Sequence, residues 1–505
     1  MRTCVSILLV LTAACSANTF DPNEKPDSGD PNPVGGDGGT VSGNGAVYVS
    51  SSKGSATGDG TQAHPFASLD MAIAKAGKLP VHACAETYAE QVHFLNGVDV
   101  DGSYECGAGW TKSATAHAKI AATASPAAFA TNITTATRVE AVDIIAPDFT
   151  GQSQSSIGLV ANNAPSLTIK NATIHAGTGG KGADGANGIT LSDSSTKNGQ
   201  DGWAAGKCTG SACQFLLHTG SPAGGTNACT GATGHDGGPG GAGGDSGEFM
   251  SGFVNSQWAW VVQNNENSTA GFPTTGTAQT TQGGPIGFGA QNGAPGASGS
   301  NGSSGTSFGN IVSGVYVTSD GTAGADGAPG QGGGGAGAMS YSTIYGNPSA
   351  LNYYAWGEPG SAGGAGGCPG LAAGLGKGGG ASIAIVAVDG GMTLDTVTIT
   401  TSNAGSGGSA GTPSAPTSGG LAGKPGQYVP SAGNGGAGGF AGVSGNGGGG
   451  PSIGIAYNKV KPTLLASKVT QGAGGAGVAL RMVNGTQTIP ASDAGMSAET
   501  YMFGQ

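Results

Sequence analysis

Ile383 to Ile399 reads IAIVAVDGGMTLDTVTI: an apolar strand, a turn, a second apolar strand, and then a run of glycine. The same order occurs at Ile157 to Ile174 (IGLVANNAPSLTIKNATI) and at Ile453 to Val469 (IGIAYNKVKPTLLASKV). Aligned on the second strand, Thr168, Thr393 and Thr463 coincide, as do Ile169, Leu394 and Leu464, and then Ile174, Ile399 and Val469. A weaker copy places Val139 and Ile144 where Ile169 and Ile174 stand. Short β-branched strands recurring in this way cannot bury an apolar face alone, so they must stack on one another. The expected fold is all-β, a parallel β-helix.

Composition separates this β-rich part from a second kind of sequence. Glycine accounts for 104 of the 505 residues, and only 9% are charged. That is about three times ordinary glycine usage. The tracts cluster in a long insertion, 178–380, and in shorter ones at 405–450 and 472–477, and repeat Gly-Gly-x and Gly-x-Gly. Collagen requires glycine at every third place with abundant proline, and only 25 prolines are present. Disordered loops and extended, polyproline-II-like segments packed through their glycines both remain open. Packing is favoured, because the second and third copies run into a tract from the same strand end.

The N-terminus carries Arg2, the apolar run Val5 to Leu11, and Thr12-Ala13-Ala14-Cys15. This pattern is a secretory signal, and the apolar run is too short to span a bilayer. Its ending resembles a bacterial lipobox, which implies lipid attachment at Cys15; Thr12 departs from the usual leucine. An ordinary signal peptide cleaved near Ala17 is the alternative. Ser16, after the cysteine, resembles the outer-membrane sorting signal. The Pro/Asp/Asn/Gly-rich stretch that follows cannot bury a core and reads as a tether. The expected organisation is a signal peptide at 1–14, a tether at 15–45, a capped β-helix start at 46–177, the insertion at 178–380, later coils at 381–485 and a C-terminal tail at 486–505.

Six cysteines remain for an exported domain: Cys84, Cys106, Cys208, Cys213, Cys229 and Cys368. An even number outside the cell points to disulfides. Cys84 and Cys106 stand apart and are expected to pair; the other four allow three connectivities. No Cys-x-x-Cys pair is present, and no metal site or cofactor is expected.

Val47-Tyr48-Val49-Ser50, Gly58-Asp59-Gly60-Thr61 and Pro65-Phe66 open the domain. Phe66, Leu69, Ile73 and Ala76 then fall at helical spacing, with Ser68 suited to the helix start. This opening resembles the pectin-lyase-like parallel β-helix superfamily, in which a short helix caps the first coil. The resemblance covers Val47 to about Ile174 and implies a right-handed solenoid with Val81 to Cys84 as a strand and Ala85 to Tyr88 as a turn. It is almost silent on activity. The glycine tracts resemble those of PGRS proteins and of polyglycine-type antifreeze bundles.

The chemistry-bearing residues are sparse. A polysaccharide-active enzyme on this fold would need carboxylates and a base in one groove; the candidate acids are Asp143, Asp148, Asp389 and Asp395, and the candidate bases Arg138 and Lys170. Gly179 to Asp184 and Gly240 to Asp245 resemble the start of a calcium-binding nonapeptide, but they are isolated, and Ala186 and Gly247 replace its large apolar residue. They read as chance in a glycine-rich chain. The seven histidines are scattered. Trp203, Trp258, Trp260, Trp356, Tyr353 and Tyr354 fall in the insertion, as its own small core or as sugar-stacking rings. The net charge of -11 with no basic cluster makes nucleic acid an unexpected partner. The leading expectation is a non-catalytic, lipid-anchored cell-surface scaffold or adhesion protein, partnered by the membrane and by polysaccharide or other surface proteins. A polysaccharide lyase or hydrolase and an ice-binding protein are the alternatives.

Overall fold

In the computed structural model, which describes residues 45–107, 109–202, 222–243, 248–254, 257–263, 289–337, 339–342, 355–426 and 431–504, the repeats meet where the sequence aligns them. Thr168, Thr393 and Thr463 are register partners on parallel strands, as are Ile169, Leu394 and Leu464. Ile174, Ile399 and Val469 follow suit, with Val139 beside Ile169 and Ile144 beside Ile174. These strands belong to a twelve-stranded sheet, parallel except where Val100–Glu105 meets Thr111–Lys112. Six more strands, Val92–Phe94, Ala128–Thr131, Ser156–Asn162, Ser382–Val388, Ser452–Tyr457 and Ser497–Met502, form a second parallel sheet. Each copy contributes its first strand to the smaller sheet and its second to the larger one. Leu159, Ile385 and Ile455 from one sheet and Ile169, Leu394 and Ile399 from the other share a single core.

The bends between and within strands are also stacked. Asn132, Asn163 and Asp389 have φ of 55°, 49° and 57°, each one residue beyond the register partners Thr131, Asn162 and Val388. Ala141, Asn171, Thr396 and Ala466, at 53°, 48°, 58° and 47°, do the same one residue after Glu140, Lys170, Asp395 and Leu465. Left-handed backbone is costly for residues with a Cβ, least so for Asn and Asp. Its repetition at these two register positions turns the chain the same way in each of the copies that carry it. Asparagine side chains tie the first corner: Asn163 Nδ2 donates to Asn132 Oδ1 at 2.9 Å, and Asn458 Nδ2 to Asp389 Oδ1 at 3.1 Å.

The one helix among the described residues, Leu69–Lys75, closes the N-terminal end. Ser68 caps it by accepting from Met71 N, and Glu90 reaches across to accept from Leu69 N (2.7 Å) and the Ser68 hydroxyl (2.6 Å). Leu69, Ala72 and Ile73 are fully buried in the common core. One local expectation changes: Thr87–Tyr88, read as part of a turn, forms a short strand whose residues pair with Lys119 and Ile120. Tyr88 is drawn in because its ring is buried and its hydroxyl donates to Val49 O at 3.0 Å. The stretch read as a tail contains strand Ser497–Met502, which adds the last rung to the smaller sheet. There Ile455 meets Thr500 and Ile453 meets Ala498, so the last rung swaps isoleucine for smaller or polar side chains, as a terminal repeat must.

The described parts of the glycine tracts continue the strands. The chain leaves the larger sheet along 402–426 and returns along 431–451 into Ser452–Tyr457; likewise 178–202 leaves and 360–381 returns. Neighbouring outgoing arms bond at every third residue: Gly179, Gly182, Gly185 and Gly188 donate to the carbonyls of Asn403, Ser406, Ser409 and Thr412. Outgoing and returning arms bond antiparallel at the same step, Gly405, Gly408 and Gly411 donating to Gly380, Lys377 and Gly374. Segments 289–306 and 319–336, from the long insertion, add further arms on 434–446 and on each other. Between them the hairpin Asn310–Val312/Val315–Val317 places Ile311 and Tyr316 against Val160, Val386 and Ala456, covering the outer side of the smaller sheet. At the far end, Arg481, Asn484 and Gln487 of a second hairpin donate to the carbonyls of Ala410, Pro413 and Ala441.

Candidate functional site

Arg138, Asp143, Lys170 and Asp395 lie on strands of the larger sheet, Asp148 follows strand Val142–Ile145 and Asp389 stands at the bend after Ser382–Val388 of the smaller sheet, and register decides who meets whom. Tyr48, His82, Asp101, Glu140, Lys170, Asp395 and Leu465 form one continuous row across seven strands. Arg138 pairs with Glu140 at 3.0 Å, and Lys170 lies 3.9 Å from Asp395. Asp143 sits elsewhere, accepting from Thr173 N at 2.7 Å and contacting His117 Nδ1 at 3.1 Å, while His117 Nε2 lies 3.3 Å from Asn171 Nδ2. Asp148 accepts from Thr178 N (2.7 Å) and its hydroxyl (3.1 Å). Asp389 pairs with Lys459 at 2.7 Å, which together with the Asn458 amide holds its carboxyl below the ordinary range. Each candidate acid is thus spent on a neighbouring strand or a turn.

At the N-terminal end of the row four rings gather around the disulfide joining Cys84 to Cys106, the pair read from the sequence. His82 stacks on Tyr104 (4.4 Å between centroids), Tyr48 meets His82 edge-on (5.3 Å), and Trp110 meets Tyr48 (4.9 Å). Trp110 holds φ of 52°. Asp101, with only 10% of its side chain exposed, is paired to Lys112. Burial would raise its carboxyl, but hydrogen bonds from Lys112 and Ser103 outweigh that and lower it. Burial pushes the His82 imidazole down, against the pull of Asp101. Sequence spacing could not assemble this group, because its members come from four separate segments.

Acidic and amide side chains in the arms follow one rule. Where arms run parallel, an Asx residue and the glycine after it grip a single residue of the neighbour. Asp184 Oδ1 accepts from Ser409 N while Gly185 N donates to Ser409 O; Asn187-Gly188 treats Thr412 likewise, and Asn301-Gly302 does so with Val443. Where arms run antiparallel, the two contacts fall two residues apart: Asp326 accepts from Ala372 N and Gly327 donates to Gly370 O. The calcium-like Asp184 is therefore a register pin, further paired with Lys181 at 3.1 Å. Asp245 lies outside the described residues.

A second disulfide, Cys229 to Cys368, fixes one of the connectivities left open. Beside it Asp193 accepts from Lys197 Nζ (2.6 Å), the Thr417 hydroxyl (2.5 Å) and Asn227 Nδ2 (2.9 Å). Burial would raise the Asp193 carboxyl; these donors outweigh it and lower it. Cys15, Cys208, Cys213, Trp203, Tyr353 and Tyr354 lie outside the described residues, as do the side chains of Trp258, Trp260 and Trp356. No family model, curated protein or solved structure matches the chain.

Proposed function

We propose that this chain is an exported, lipid-anchored bacterial surface scaffold: a right-handed parallel β-helix of the pectin-lyase-like type carrying a slab of polyproline-II-like glycine arms. The observation that carries the reading is the use of its chemistry-bearing side chains. Carboxylates and amides that an enzyme would gather in a groove are spread along the stack: Asp143, Asp148 and the arm Asx residues pin backbone N–H groups of the next strand or arm, and Asp101, Glu140, Asp389 and Asp395 pair with cations. The handedness follows from the strong right-handed preference of crossovers between parallel strands. The polyproline-II character of the arms accords with their three-residue hydrogen-bond step and with glycines that avoid the left-handed region. Such arms rise about 3.1 Å per residue, so a tract of roughly two dozen residues holds a partner far from the solenoid. Cys15 anchors the molecule to the outer membrane through the tether at 15–45, and the slab faces polysaccharide or other surface proteins.

Two measurements test this. Metabolic labelling with a fatty acid, comparing the full chain with Cys15→Ala, should show label only in the former; equal labelling, or none in either, removes the anchor. Incubation with acidic and neutral polysaccharides, followed by the size distribution of the sugars, should leave the chains at their original length. Shortening that is lost in Asp143→Asn would replace the scaffold with an enzyme.

A further inference from the structure

The network beside Cys229 and Cys368 holds a lysine, a carboxylate and an asparagine amide in an order that permits chemistry. Asp193 Oδ2 lies 2.6 Å from Lys197 Nζ, and Asp193 Oδ1 lies 2.9 Å from Asn227 Nδ2. One carboxylate therefore touches both an amine and the nitrogen of a primary amide. Asn227 is 3% exposed, and its amide is fixed: Nδ2 also donates to Gly366 O at 2.9 Å, and Oδ1 accepts from Ser194 N at 2.8 Å. The Lys197 and Asp193 side chains are only 23% and 19% exposed. We propose that Lys197 and Asn227 become joined by an intramolecular isopeptide bond, with Asp193 as the proton carrier.

The step balances without any oxidant or added group. The Lys197 ammonium gives a proton to Asp193 Oδ2, and the free amine attacks Asn227 Cγ. Negative charge developing on Asn227 Oδ1 is met by the Ser194 N–H, which already points at it, an arrangement that acts like an oxyanion hole. The Nζ–Cγ bond forms and the Cγ–Nδ2 bond breaks. The Asp193 carboxyl rotates to carry the proton on Oδ2 to Nδ2, which departs as ammonia; the second lysine proton leaves with it as ammonium in water. Burial helps because a partly dry setting excludes competing water. Asp193, held below the ordinary carboxyl range, starts as the anion that a base must be. The product would fasten the segment around Asn227 to the arm containing Lys197, already linked by Thr226 N to Thr196 O at 2.8 Å. Unlike the disulfide two residues away, this link survives reduction. It serves the scaffold reading but does not depend on it, since mass reports it whatever the protein binds.

The test is mass spectrometry of the purified full chain after reduction, intact and as protease fragments. The expected result is a deficit of one ammonia and a branched fragment containing both Lys197 and Asn227. Succinimides at Asn-Gly pairs also lose ammonia, so the branched fragment decides. Separate fragments with Lys197 carrying a free amine would overturn the proposal. Lys197→Arg keeps the ion pair but cannot form the amide, and should restore the full mass; a deficit that persists there places the loss elsewhere and also overturns it. Asp193→Asn leaves both reacting groups in place and should abolish the branched fragment, whereas full cross-linking in that variant would remove Asp193 from the step.

Discussion

Glycine in the arms is required for space rather than for conformation. A Cβ at Gly380 would lie 1.8 Å from Gln154 O, one at Gly405 would lie 1.9 Å from Gly180 O, and neither residue has left-handed φ. Rigid backbone cannot yield as a side-chain tip can, so Gly380→Ala should cost about 2 kcal/mol or more in chemical denaturation, within the upper range for overpacking. Gly107, with nothing within 4 Å of its Cβ position and no positive φ, is the control. Gly107→Ala should be neutral or slightly stabilising. Charge at single residues sets the acid response. Glu86 accepts from the Ser50, Ser51 and Ser52 hydroxyls and from Ser52 N, at 2.6 to 3.0 Å. Burial alone would raise its carboxyl, but these bonds outweigh it and lower it below the ordinary value of 4.5. A carboxyl lowered on folding contributes stability above its unfolded pKa, and that contribution disappears as pH falls through the folded value. Melting temperature should therefore fall below roughly pH 4.5, less steeply in Glu86→Gln. At neutral pH that variant should lose about 1–2 kcal/mol, allowing for partial exposure.

At the scale of elements, the capping helix separates local from distant causes. Ser68, the periodic apolar residues and Pro65 before them are read directly from neighbouring sequence. Glu90, which completes the cap, is not, because nothing in the chain around it announces a helix more than a dozen residues earlier. Ile73 is fully buried beneath this helix, and Ile73→Ala should destabilise by about 2–4 kcal/mol, measured by denaturant titration. A loss under 1 kcal/mol would mean that the helix does not close the core. The arms follow the same division. Their glycine period is plain in the sequence, but the Asx-Gly grip becomes visible only when the partner arm, more than 200 residues away for Asp184 and Ser409, is in place.

Across the whole molecule, the long insertion is held by covalent as well as backbone links. Cys229 and Cys368 are 139 residues apart, against 22 for Cys84 and Cys106. Loop-closure entropy grows with the logarithm of loop length, so removing the longer-range bridge should cost more. Cys229→Ala with Cys368→Ala should lower the thermal midpoint more than Cys84→Ala with Cys106→Ala does. The reverse order would show that native packing around Tyr104 and Trp110, rather than loop entropy, dominates. The sequence by itself determined the strand repeat, its register and the helix start, because β-branched periodicity and capping chemistry act between near neighbours or identical copies. Tertiary structure alone decided which carboxylate meets which cation, which cysteine meets Cys229, and why each arm glycine must be glycine. Those outcomes depend on strands and arms stacked side by side from distant parts of the chain, and spacing along one chain does not encode the distance across a stack.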